Sequence, residues 1–302
     1  MSAAPHRGAK AAGTGALDRI MAGYVFPLRA AEVDRALRAR LAAGEYDALS
    51  GPALCEAVTA YLQEVCPDRH LRLLWQDEPG PLTTPADDDA GREAFLALMR
   101  AENHGLHRTE QLDGSIGYLD VRWMADAGEG APAIGAAMEL VARTRALLLD
   151  LRKCRGGSPA GAAMWCSYFF PDDEVHLNDI YERSTDATRQ YWTLPYLPGP
   201  RYLDRPVYVL TSATTFSGGE DLAYTLQAHG RAEVVGETTR GGAHPTARHP
   251  VTEHITVTVP TARTVNAVTG TNWEGVGVQP DHAVPAEKAL ETAHGEARER
   301  LG

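Results

Sequence analysis

The chain has 302 residues, 44% of them hydrophobic, with 29 basic against 40 acidic side chains and a formal net charge of −11. That length accommodates one large domain, or a small and a larger one, with a proper core. The acidic balance and the lack of any basic run argue against a nucleic-acid partner, and no apolar run reaches the roughly 18 residues of a membrane span.

The first 14 residues are small and basic but lack the apolar stretch of a secretion signal, so 1–14 read as a disordered tail and a cytoplasmic location is expected. From Leu17 to Val65 apolar residues recur at three and four, as Val33, Leu37 and Leu41 and then Leu54, Val58 and Leu62. This spacing predicts a helical domain over 15–68, with Ser50-Gly51-Pro52 as a helix start. A strand at Leu71–Trp75 follows, then an acidic, Pro-rich linker from Asp77 to Gly91 and a helix over Arg92–Ala101.

Beyond Gly114, apolar runs at Ile116–Val121, Ala146–Leu151, Val207–Thr211 and Ala232–Val235 read as strands. Helical stretches at Ile134–Arg143, Pro159–Phe169 and Gly218–His229 alternate with them, which predicts an α/β core over 69–302 with a mostly parallel sheet and flanking helices. Thr252–Val259 alternates polar and apolar residues, as an edge strand or hairpin does. The Pro-rich stretch Tyr191–Tyr202 either lines a groove for a lipid or peptide terminus or packs as a surface loop.

Sites in such sheets gather where strands end and helices begin. Two turns of this kind carry glycines: Asp150 to Pro159, with Gly156-Gly157, and Phe216-Ser217-Gly218-Gly219-Glu220. Ser217 and Glu220 fit a capping box, and the same serine stands at a helix N-terminus facing a cleft, with glycines that let amides approach a substrate oxygen. If the sheet brings the two turns together, the Gly157 and Gly218 amides form an oxyanion hole beside Ser217. A serine also needs a base. His70, where a helix gives way to a strand, and His244, in a glycine-rich loop, are the candidates, and Glu274 is a candidate third member. The phosphate-loop patterns GxGxxG and GxxxxGK[ST] are absent, as is the GxSxG elbow. Cys55, Cys66, Cys154 and Cys166 lack metal-ligand spacing, so neither a metal nor a cofactor is expected.

The stretches LLLDLRKCRGG, TSATTFSGGEDLAYTLQ, GRAEVVGETTRGGAHP and NWEGVGVQPD, in that order, resemble the core of the tail-specific, or C-terminal processing, serine peptidases. The branch they resemble most is that of interphotoreceptor retinoid-binding protein and the tricorn core. The resemblance implies a ClpP/crotonase-like core with a small N-terminal helical domain, peptide or protein substrates, and Ser217 as nucleophile. The lysine of the bacterial Ser-Lys dyad falls at Gly242, so a histidine base is implied. His70 matches the tricorn-type histidine and Glu274 the supporting glutamate, whereas the serine partner falls at Arg69. The segment between Asp77 and Gly114 is too short for a PDZ module, and self-association stays open. The alternative is a binding protein that keeps the fold without turnover and holds a hydrophobic ligand or peptide terminus.

Overall fold

The computed structural model describes residues 4–82, 89–171 and 174–302. In chain order its elements begin with α1 (Ala4–Gly23), α2 (Pro27–Ala42), α3 (Gly51–Val65), β1 (Arg72–Trp75), α4 (Asp89–Ala101), β2 (Leu106–Leu112) and β3 (Ile116–Val121). There follow α5 (Ala127–Val141), β4 (Ala146–Asp150), α6 (Pro159–Ser167), β5 (His176–Glu182), β6 (Ala187–Trp192), β7 (Val207–Thr211) and α7 (Gly218–Ala228). The chain closes with β8 (Glu233–Gly236), β9 (Thr246–Pro250), β10 (Ile255–Pro260), β11 (Ala262–Asn266), β12 (His282–Ala283) and α8 (Ala286–Leu301).

Two units emerge. The first holds the chain up to Ala94, together with Tyr181–Thr188 and His244–Arg263. The second holds Phe95–Ile180, Arg189–Ala243 and Thr264–Gly302.

In the first unit the periodic residues Val33, Leu37, Leu41, Leu54, Val58 and Leu62 are all buried, and each such side chain contributes about 1.5–3 kcal/mol when withdrawn from water. Two expectations change here. From Ala4 onward the chain is helical instead of a tail, because Ala9, Ala12 and Ala16 form a buried stripe of small residues at helical spacing. The approach is close: a Cβ on Gly13 would lie 2.8 Å from the Leu41 side chain. Nor do the units divide between residues 68 and 69. Strand β1 pairs antiparallel with β10, which pairs with β9, so a hairpin from late in the chain completes the helical core through Ile255, Val257 and Val259. The alternating segment Thr252–Val259 is thus half of a hairpin, but it takes the central place in its sheet and not the edge.

The second unit carries a six-stranded sheet in the order β12-β8-β7-β4-β3-β2. Its neighbours pair in parallel from β12 to β3, and only β2 runs antiparallel. Strands β3, β4 and β7 are buried along their whole lengths, as their unbroken apolar runs require of a sheet covered on both faces. Strand β2 follows the expected helix over Arg92–Ala101, in a stretch for which the sequence predicts no element, because it is an edge strand with no fully buried position. The Pro-rich stretch near residue 200 is packed: Tyr202 and Leu197 are buried, and Arg201 donates to the carbonyls of Ser167, Phe170, Leu194 and Pro195. The expected linker falls partly outside the described residues. Among the described residues no helix is long and apolar enough to cross a membrane.

The parallel order β4-β7-β8 places three loops at one edge of the sheet: 151–158, 212–217 and 237–243. A third sheet, in the order β11-β5-β6, includes strands within which the chain passes between the units.

Candidate active site

The loop after β7 is stitched to the loop after β4. Thr215 Oγ1 donates to Leu151 O at 2.8 Å, Ser212 Oγ to Arg152 O at 2.6 Å, and the Phe216 N–H to Cys154 O at 3.1 Å. Ser217 therefore arrives beside Gly156 and Gly157 through bonds that its own flanking threonine and serine supply.

Both glycines are required there. Gly156 has φ +112°, and a Cβ on it would lie 2.8 Å from Ser217 Cβ. Gly157 has φ +134°, and its Cβ would lie 2.2 Å from Met124 O, because Met124 and Gly157 form a parallel bridge. On the other side, a Cβ on Gly218 would lie 3.2 Å from Gly157 N. Among the described residues neither the Gly157 nor the Gly218 amide donates to a protein acceptor. The structure thus brings together Ser217, Gly157 and Gly218, with two amides open next to the hydroxyl.

Ser217 itself has φ 54° and ψ −120°, a region that a non-glycine residue enters at a cost of about 1–3 kcal/mol. Its helix start offsets that strain. The Asp221 N–H donates to Ser217 O at 2.9 Å, and the Ser217 N–H donates to Glu220 Oε2 at 2.8 Å.

Glu220 does more than cap the helix. It is completely buried and also accepts the Thr239 hydroxyl, the Gly241 N–H at 2.6 Å and the Gly242 N–H at 2.9 Å. Burial pushes its carboxyl above the ordinary range, and these four donors pull it back towards the anion. The loop after β8 is gripped from a second side by the residues around Trp273: Trp273 Nε1 donates to Gly242 O at 2.8 Å, and the Gly275 N–H to Gly241 O at 2.9 Å. Glu274 Oε2 accepts the Ala243 N–H at 2.6 Å. Glu274 therefore anchors the main chain of the residue that precedes His244 in sequence. Gly242 contributes two main-chain hydrogen bonds.

In the first unit, Asp68, 3% exposed at its side chain, is the hub. Its Oδ2 lies 2.7 Å from His244 Nδ1 and accepts the Tyr24 hydroxyl at 3.0 Å, while Oδ1 accepts the His70 N–H at 3.0 Å. A carboxylate facing Nδ1 favours the imidazole tautomer that carries its proton on that nitrogen. The Phe26 ring meets His244 edge-on at 5.4 Å between centroids. Burial, then the charges of Asp68 and Cys66, hold the Tyr24 hydroxyl far above its ordinary range, so it stays a neutral donor. Of the two candidate histidines, the ring that Asp68 holds is that of His244. Asp68 binds His70 through the main chain, and the His70 carbonyl accepts Thr258 Oγ1.

Sequence reasoning passed over Asp68 and Tyr24. Asp68 stands two residues before His70, and its partner His244 lies 176 residues away, a separation that leaves no local pattern. Glu220 was visible only as a cap.

Comparisons with known proteins agree with this architecture. The family model described as peptidase family S41 matches residues 115–284. A putative peptidase from Parabacteroides merdae ATCC 43184 superposes with a TM-score of 0.62 at 19% identity, over 94% of this chain and 95% of that one. The tricorn protease aligns over 98% of this chain but 37% of its own, with a TM-score of 0.58 and 12% identity. A putative S41 protease from Bacteroides fragilis NCTC 9343 gives a TM-score of 0.51 at 21% identity over 62% of this chain, which spans 52% of that protein. Identities this low speak for the fold.

Proposed function

This chain belongs to peptidase family S41, and we propose that it hydrolyses peptide bonds through an acyl-enzyme on Ser217, with His244 as base and Asp68 orienting it. The observation that carries the reading is Ser217 at a strained helix start beside two glycine amides without protein acceptors. A serine whose only task is to cap a helix has no need of that conformation or of those amides.

In the proposed reaction Ser217 Oγ attacks the scissile carbonyl carbon as its proton passes to His244 Nε2. The Gly157 and Gly218 N–H groups donate to the developing oxyanion, a contribution of about 2.7–4 kcal/mol for each such donor. Collapse expels the amine, which takes the proton from Nε2 and leaves the acyl group on Oγ. Water then repeats the sequence and frees the serine. Asp68 stabilises the imidazolium that forms twice in the cycle. Glu274 and Glu220 act as positioning residues, since their carboxylates hold the amides of residues 241–243, immediately ahead of His244.

His244 is preferred to His70 as base because a carboxylate on Nδ1 sets the tautomer that a base requires. The test uses a fluorophosphonate probe and a peptide library. Ser217→Ala is expected to abolish labelling, and His244→Ala to lower kcat by about a thousandfold or more, well beyond the loss in His70→Ala. Labelling that survives Ser217→Ala would remove the nucleophile assignment, and the reverse order of the two histidine variants would return the base to His70.

A further inference from the structure

We propose that Tyr24 is a positioning residue for the base: its hydroxyl fixes the Asp68 oxygen that faces His244. This rests on the reading of His244 as base and extends its support to a residue from the turn between α1 and α2.

The tie runs through one atom. Asp68 Oδ2 lies 2.7 Å from His244 Nδ1 and accepts the Tyr24 hydroxyl at 3.0 Å, so the phenol bears on the same oxygen that meets the imidazole. Asp68 Oδ1 accepts the His70 N–H at 3.0 Å. The terminal torsion of an aspartate is broad, so the plane of this carboxyl is set by the donors around it and not by its rotamer. The Tyr24 hydroxyl has a single proton and a second contact, Cys66 Sγ at 3.1 Å. With the proton given to Asp68, the thiol is the donor in that second bond. Burial pushes the Cys66 thiol up, so it keeps the hydrogen that this bond needs. A thiol that donates to the phenol strengthens the phenol as a donor to the carboxyl.

Tyr24 is itself held at its main chain. Its N–H donates to Ile20 O at 2.9 Å, its carbonyl accepts Arg183 Nη1 at 2.6 Å, and the Val25 N–H donates to Pro260 O at 2.8 Å. The Phe26 ring stands edge-on to both Tyr24 and His244, at 5.8 and 5.4 Å between centroids. One short segment, 24–26, therefore reaches Asp68 through a hydroxyl and His244 through a ring. A residue that only filled this buried place would be served as well by phenylalanine, which brings no hydroxyl that must find partners away from water.

The experiment is a double-mutant cycle of Tyr24→Phe and Asp68→Asn, read as kcat and KM on a peptide substrate. Tyr24→Phe keeps the ring and removes the hydroxyl, and it is expected to lower kcat about 10- to 100-fold with KM nearly unchanged. In the Asp68→Asn background the same substitution is expected to cost less than about twofold, because the carboxylate that the hydroxyl positions is gone. Damage to packing alone lowers activity equally in both backgrounds, so equal costs overturn the proposal, as does a Tyr24→Phe variant with wild-type kcat. A second measurement needs no turnover: the proton resonance of His244 Nδ1 in Ser217→Ala, which a carboxylate partner moves far downfield. Adding Tyr24→Phe is expected to shift this resonance or to broaden it by exchange with water. In a protein without measurable turnover the resonance decides, and one left unchanged overturns the proposal. If His244→Ala keeps wild-type kcat, the base assignment fails by itself, and the resonance still decides whether Tyr24 holds the pair.

Discussion

Around Ser217 order comes from main-chain amides donated to buried carboxylates and from glycines that admit close backbone approach; around His244 it comes from side chain meeting side chain. The first region uses loops that neighbouring parallel strands deliver to one sheet edge, so its geometry follows from the strand order and a few small residues. The second depends on Asp68 meeting His244 and Tyr24, residues 176 and 44 positions away in sequence. The two should therefore fail differently when altered. Changes near Ser217 should unsettle the fold as well as the chemistry, whereas changes near His244 can disable chemistry in a folded protein.

The largest expected effect is that of Asp68→Asn. An amide can donate to Nδ1 and so stabilise the wrong imidazole tautomer, and kcat should fall by about 10³–10⁴ while circular dichroism and unfolding midpoint change little. A variant that unfolds, or one that keeps most of its activity, would erase the contrast between the regions.

Next comes Glu220→Ala, which leaves the amides of Ser217, Gly241 and Gly242 buried without an acceptor. A loss of about 3–5 kcal/mol is expected by urea denaturation, together with loss of probe labelling. If stability holds and only activity falls, Glu220 serves chemistry and not the loop architecture.

Gly157→Ala should be somewhat milder. The positive φ and the contact with Met124 O force the turn to shift, and displacing one oxyanion donor removes about 2.7–4 kcal/mol of transition-state stabilisation, readable in kcat. Tight binding of a peptide substrate by the same variant would show that the cleft persists while its donor has moved.

The smallest effect concerns Asp221, in the same helix as Glu220. Burial pushes its carboxyl from 3.8 up to about 6, against hydrogen bonds from Thr225 and Asn178. The folded chain then holds a proton that the unfolded chain has lost between about pH 4 and 6. Its contribution is fully present below pH 4 and disappears as pH rises through 6, a change of about 3 kcal/mol at most. Asp221→Asn keeps an oxygen for Asn178 and Thr225, so it should stabilise the protein by about 1–3 kcal/mol at pH 8 and hardly at all at pH 4. Equal effects at both pH values would show that the carboxyl titrates normally.

Much of the second unit was legible in the chain. The strands Ile116–Val121 and Val207–Thr211 occur with the bounds that their apolar runs predict, since a strand buried on both faces has no polar side to blur its limits. Strands β6 and β9 carry no buried residue and left no such trace. The helix stripes of the first unit were equally readable, but not its dependence on a hairpin from residues 246–260, because antiparallel pairing needs only compatible faces and not sequence proximity. The expected tail misled, from Ala4 on, for a different reason: alanine-rich, weakly amphipathic sequence looks unstructured until a partner surface buries its small face.

For the site, the turn glycines and Ser217 declared themselves because a strand, a glycine turn and a helix cap are local patterns with steric causes. By itself the sequence determined the α/β alternation and the Ser217 helix start, both of which are properties of contiguous residues. Only the tertiary structure decided that Glu220 serves two loop amides and the Thr239 hydroxyl besides its cap, that Glu274 holds Ala243, and that Asp68 takes the ring of His244. Those are hydrogen bonds between groups that the chain keeps far apart, and burial selects them at folding, because each carboxylate removed from water requires more donors than its own neighbours supply.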